Sequence, residues 1–166
     1  MPIPTWTVGE VLAAADVNSW FVPLVAIKGS DQSVTSSTVL VGDLALFLPL
    51  AANCSYEIRA GINYEGGTQG ASDFQWSFSP PGGSNFHYQG RYLDTGGNPQ
   101  LPYLTGTSTN HAGTNGGGNI RTLGVTGLIV VSSTAANLTF NVSQNTSNGT
   151  PTTVHAGSWM IAQRVS

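Results

Sequence analysis

An all-β fold is what this sequence predicts: an antiparallel β-sandwich or jelly roll of about eight strands behind a short extended and helical N-terminal arm. Three observations carry it. Apolar and polar residues alternate over several stretches, the period of a strand with one face buried. Gly- and Pro-marked turns separate those stretches. Charge is scarce, with five Lys and Arg and eight Asp and Glu among 166 residues, 8 % of the chain, where roughly 25 % is usual. A helical bundle or coiled coil laced with ion pairs does not fit that composition. The length is that of one ordinary domain, and 40 % of the residues are hydrophobic, enough for a core and against disorder.

Residues 1–23 read as a docking arm and 24–166 as the sandwich domain. Pro2 and Pro4 bracket Ile3 and keep the start extended. Thr7-Val8-Gly9-Glu10 fits a capping box, in which hydroxyl and carboxylate each close a free backbone N–H. Helix formers follow from Val11 to Ala15; Asp16 can cap a second short turn through Phe21, and Pro23 stops it. The arm carries Ile3, Trp6, Val11, Leu12, Trp20 and Phe21. It is too short to bury them on itself, so they are candidate docking residues, for the chain's own body or for a partner.

Strands follow from Leu24. Val34 to Val41 is β-branched and bounded by Gly29 and Gly42, which predicts a strand there. Tyr56, Ile58, Ala60, Ile62 and Tyr64 share one face of another. Phe74, Trp76 and Phe78 alternate with Asp73, Gln75 and Ser77; Leu138, Phe140 and Val142 alternate with Asn137, Thr139, Asn141 and Ser143. The stretch from Leu123 breaks the alternation. Leu123, Val125, Ile129 and Val131 are apolar on one face, and Leu128 and Val130 on the other. A strand apolar on both faces is covered on both sides, by a second sheet or by another subunit. Between Gly90 and Gly118 the Gly- and Pro-rich pairs predict long surface loops.

The same residues exclude several functions. One Lys and four Arg cannot build the cationic stripe that phosphate neutralisation needs, so no nucleic-acid partner is expected. The longest apolar runs, such as Leu44 to Ala52, fall far short of the ~20 residues that span a bilayer, and the N-terminus lacks the basic and apolar regions of a signal peptide. Cys54 has no partner for an internal disulfide, which suits synthesis in a reducing cytoplasm, and its neighbours suggest a small buried hydrophobe. Five Asn-x-Ser/Thr triplets read as a by-product of composition. His87, His111 and His155 are far apart and make no metal-ligand spacing, so neither metal nor cofactor is expected. No paired carboxylates, P-loop lysine or nucleophile elbow is present, so no catalytic residue is nominated. Tyr88, Tyr92 and Tyr103 could form a carbohydrate platform or simply anchor loops.

Two passages carry a resemblance. Pro4-Thr-Trp-Thr-Val-Gly-Glu-Val-Leu-Ala-Ala-Ala-Asp-Val-Asn18 resembles the opening of small virion proteins of tailed bacteriophages, particularly those of actinobacterial hosts. The segments 31–41, 50–59 and 72–82, with the closing strand Gly157-Ser-Trp-Met-Ile-Ala-Gln-Arg164, are similar to a phage module of the same class. Such modules resemble the trimeric jelly rolls of the tumour-necrosis-factor and C1q kind. The resemblance implies a homotrimer made in the bacterial cytoplasm and assembled on the virion exterior. It would be a head decoration protein on the major capsid protein, or alternatively a minor tail module that recognises host glycans. On that reading Ile3, Trp6, Val11, Leu12, Trp20 and Phe21 dock on the capsid. Leu123, Val125, Leu128, Ile129, Val130 and Val131 would then meet the other subunits.

Overall fold

The computed structural model describes residues 7–11, 13–67, 74–94, 97–105, 111–112 and 119–166. Its elements are α1 (Ala14–Phe21), β1 (Leu24–Ile27), β2 (Gln32–Val34), β3 (Val41–Leu50), β4 (Ser55–Glu65), β5 (Phe74–Ser79), β6 (Asn85–Leu93), β7 (Pro99–Gln100), β8 (Tyr103–Thr105), β9 (His111–Ala112), β10 (Arg121–Val130), β11 (Ala136–Gln144), β12 (Thr152–Val154) and β13 (Trp159–Arg164). Strands β1, β13, β4, β10, β6 and β7 run side by side in a nine-stranded sheet, with β2, β8 and β12 as short additions. Strands β3, β11, β5 and β9 form a second, four-stranded sheet. Every recorded pairing is antiparallel. Among the described strands eight have four or more residues, and from β3 to β6 the chain changes sheet at each step, as does β10 to β11. This is the expected β-sandwich.

The alternation in sequence becomes the core. Tyr56, Ile58, Ala60, Ile62 and Tyr64 of β4 all point inward, as do Leu123, Val125 and Ile129 of β10 and Leu138, Phe140 and Val142 of β11. The centre is aromatic. Tyr64 stacks on Phe74 with ring centroids 4.1 Å apart, Phe86 stacks on Tyr88 at 4.5 Å, and Phe78 meets Phe86, Tyr88 and Phe140 edge-on. Such pairs add about 0.5–1.5 kcal/mol each beyond burial of their area. Burial pushes the Tyr88 phenol up to about 12.

Three features depart from the sequence reading. The strand expected from Val34 to Val41 is interrupted: β2 ends at Val34, β3 starts at Val41, and Ser36 sits at φ 54°. The turn is held from far along the chain. Gln144 accepts the Ser37 N–H (3.2 Å) and the Asn148 N–H (3.0 Å), and donates to the Thr150 carbonyl (2.7 Å). Local β-propensity loses to a tertiary clamp. Gln75 and Ser77 of β5 and Asn141 and Ser143 of β11 are buried rather than solvated. Asn141 Nδ2 donates to the hydroxyls of Ser77 (3.2 Å) and Ser79 (2.9 Å), and Ser143 Oγ donates to Gln75 Oε1 (2.7 Å). Each group satisfies another, which is what lets them be buried. Finally, Thr7 to Glu10 forms a turn and not a helix start. Glu10 Oε2 accepts both the Thr7 N–H and the Thr7 hydroxyl at 3.0 Å, Gly9 takes φ 91°, and the helix begins at Ala14.

The two sheets are stitched along one side by a buried ion pair. Lys28, just past β1, donates from Nζ to Asp43 Oδ2 of β3 at 2.7 Å, with side-chain exposures of 3 % and 0 %. The other carboxylate oxygen accepts the N–H groups of Ala45 (2.9 Å) and Leu46 (3.0 Å). The carboxylate is thus fully satisfied, the condition for holding a charge in the interior.

Candidate assembly surfaces

Of the six docking candidates in the arm, Ile3, Trp6 and Leu12 lie outside the described residues. Val11 and Phe21 are exposed, and Trp20 is half-buried against the chain's own last strand. The Arg164 guanidinium lies 4.0 Å above the Trp20 ring, and Gln163 Nε2 donates to the Trp20 carbonyl at 2.9 Å. The cation–π contact and this hydrogen bond moor α1 on β13. Val22 remains exposed next to Phe21.

The six candidates in β10 and just after it divide. Leu123, Val125, Ile129 and Val131 are buried in the core of the single chain, so they have no surface to offer another subunit. The physical reason is the period of two: they share the inward face of the strand. Leu128 and Val130 stand on the outward face, 46 % and 47 % exposed. That face is therefore open in the single chain, and a second sheet of the same chain does not cover it.

Cross-strand register maps the rest of this outer face. One row reads Ile27, Trp159, Gly61, Gly124 and Arg91 across five strands; the next reads Val25, Ile161, Arg59, Thr126 and Gln89; a third reads Gln163, Glu57, Leu128 and His87. Val25, Ile27 and Trp159 are exposed together at the β1–β13 margin. The indole of Trp159 lies across Gly61, where an added Cβ would stand 2.8 Å from its Nε1. Gly61 is needed there because any side chain would lift the ring off the sheet. Between the two apolar areas sits the exposed pair Arg59–Glu57, 2.9 Å apart. The sequence reading missed Val25, Ile27 and Trp159, because only register brings these two strands together.

The loop-rich middle is partly strand. β6 runs to Leu93, and β7 and β8 pair back onto it. Tyr88 is buried in the core and Tyr92 is half-buried, both in structural roles. Tyr103 is 68 % exposed; its hydroxyl is 2.7 Å from His87 Nδ1, and the two rings stack at 5.8 Å. His155 stands between Asp31 (Nδ1 to Oδ2, 3.1 Å) and Glu65 (Nε2 to Oε2, 3.4 Å). The Ala156 N–H and then His155 hold the Asp31 carboxyl below its ordinary value. Among the described residues no group of three His, Cys, Asp or Glu side chains is arranged to hold a metal ion. Cys54 is buried, and its thiol donates to the Ala52 carbonyl at 3.2 Å. Among the described residues no helix is long and apolar enough to cross a membrane.

No protein-family model matches the chain, and no curated protein matches it in sequence. Among solved structures it is similar to the tripod from the baseplate of bacteriophage Tuc2009, at 11 % identity and a TM-score of 0.41, covering 99 % of this chain and 75 % of that one. It is also similar to infectious bursal disease virus chains. For the Gt strain the identity is 11 % and the TM-score 0.28, over 100 % of this chain and 43 % of that one. For the Gx strain the values are 12 % and 0.27, over 99 % and 45 %. The chain thus spans less than half the length of the bursal disease virus chains.

Proposed function

We propose that this protein is a structural component of a bacteriophage virion: a head decoration protein that assembles as a homotrimer and is attached to the major capsid protein by its N-terminal segment. One observation carries the reading. The outer face of the large sheet exposes Val25, Ile27, Trp159, Leu128 and Val130, in two apolar areas on either side of the Arg59–Glu57 pair. Exposed apolar area of this kind marks an interaction surface, and a closed cyclic assembly would cover both that face and the β1 edge. The phage-like opening, Pro4 to Asn18, supports the virion setting, and exposed Val11, Phe21 and Val22 supply anchors of the kind that dominate interfaces. Nothing in this role needs catalysis, a cofactor or nucleic acid.

Light scattering on the purified protein tests the trimer. The wild type is expected at three times the chain mass and Leu128→Lys with Val130→Lys at one; a monomeric wild type at high concentration overturns the reading. Deletion of residues 1–22 should leave the oligomer folded and abolish capsid binding, and persistent binding would refute the docking role. The second reading is a tail module recognising host glycans, favoured by exposed Tyr103 stacked on His87. Copy number in purified virions separates them: comparable to the major capsid protein for the head, a few for the tail.

A further inference from the structure

The chain's few cations are unevenly used. Lys28 is paired with Asp43, Arg59 with Glu57, and Arg164 lies over Trp20 with its Nε 3.3 Å from the Ser166 carbonyl. Arg91 and Arg121, the remaining two of five, have no carboxylate partner among the described residues. Both line the same pocket, about 340 Å³ in volume, where the end of β6 meets β7 and the start of β10. Its apolar wall is Leu93, Pro99 and Leu101. The nearby acid is engaged within its own turn, where Asp94 accepts from the Gln100 amide at 2.8 Å and from the Asn98 N–H at 2.9 Å.

We infer that this pocket binds an anionic saccharide, a sugar ring bearing a phosphate or carboxylate. Two guanidinium groups without a carboxylate partner among the described residues offer planar donor forks matched to such an anion. The apolar wall gives the ring a surface to lie on, and the volume is at the lower end of ordinary small-ligand sites, roughly 300–1,000 Å³. Where the protein sits on a particle does not enter into this, because every residue involved belongs to one chain.

Isothermal titration of the full chain with glucose 1-phosphate, glucuronate, neutral glucose and inorganic phosphate tests it. The two anionic sugars are expected to bind at millimolar concentration and to weaken with salt. Glucose and inorganic phosphate should each bind at least about tenfold more weakly, the worth of one charge-assisted hydrogen bond. Arg91→Gln and Arg121→Gln, both exposed and outside the core, should keep the thermal midpoint and lose about tenfold each for the anionic sugars. Binding of glucose as tight as glucose 1-phosphate overturns the anion site. Inorganic phosphate binding as tightly as the sugar phosphate overturns the role of the apolar wall. No binding of either anionic sugar, or unchanged binding by both Arg91→Gln and Arg121→Gln, overturns the proposal altogether.

Discussion

Lys28→Met should be among the most damaging single substitutions in this protein that delete no core hydrophobe. It removes the ammonium 2.7 Å from Asp43 Oδ2 and leaves a carboxylate at 0 % side-chain exposure, held by the Ala45 and Leu46 N–H groups. Breaking a buried pair by deleting one partner costs about 3–5 kcal/mol. At roughly 2–4 °C per kcal/mol for a chain of this size, the thermal midpoint should fall by about 6–20 °C. Adding Asp43→Asn to Lys28→Met removes the stranded charge and keeps an oxygen for both backbone N–H groups. The double variant should therefore recover most of the loss, since replacing a whole buried pair is often near neutral. Urea unfolding followed by circular dichroism, on wild type, both singles and the double, gives the coupling energy directly. The reasoning is refuted if Lys28→Met costs less than about 1 kcal/mol, within the range of exposed pairs, or if the double variant is no more stable than Lys28→Met.

Other outcomes follow from single positions. Gly127→Ala should destabilise by about 1–3 kcal/mol, because its Cβ would stand 2.6 Å from the His87 carbonyl and from Tyr88 Cβ; unfolding midpoints check this. Asp31 is held below its ordinary value by the Ala156 N–H and by His155. Its contribution is therefore present above the ordinary carboxylate range near about 4 and lost as pH falls through the lower folded value. Asp31→Asn should make stability less dependent on pH in that acid window, as read by thermal melts across it. Tyr88, raised to about 12 by burial, should stay neutral in an absorbance titration until well above the ordinary tyrosine range, and Tyr88→Phe should remove that late step. Trp20→Ala should free the helix, seen as faster hydrogen exchange in 14–21 with little change in the sandwich.

The strands with one buried face were legible in sequence because alternation is the direct image of a half-buried pleat. Tyr56 to Tyr64 and Leu138 to Val142 point where their period says. What the sequence concealed was set by partners distant along the chain. The turn after Val34 depends on Gln144, more than a hundred residues away. Gln75, Ser77, Asn141 and Ser143 look solvent-facing until β5 and β11 are paired and their amides and hydroxyls meet. Lys28 and Asp43 each adjoin an apolar run, but nothing local pairs them, and only the closing of β1 onto β3 buries them together. The β10 stretch was legible as apolar on both faces, but which face belonged to the core emerged only from its neighbours. The exposed row at Ile27 and Trp159 and the pocket at Arg91 and Arg121 are products of register, which no local pattern encodes.

The indole laid across Gly61 has an optical consequence. Trp76 is sealed in the core and its emission is insensitive to events at the surface, whereas Trp159 keeps one side in water on the outer face of the large sheet. Fluorescence is governed by the polarity around the excited ring, so covering that face would shift the Trp159 contribution to shorter wavelength. Dilution would reverse the shift, and Trp159→Phe would abolish it. The protein thus carries its own reporter of what settles on that sheet, readable without any added label.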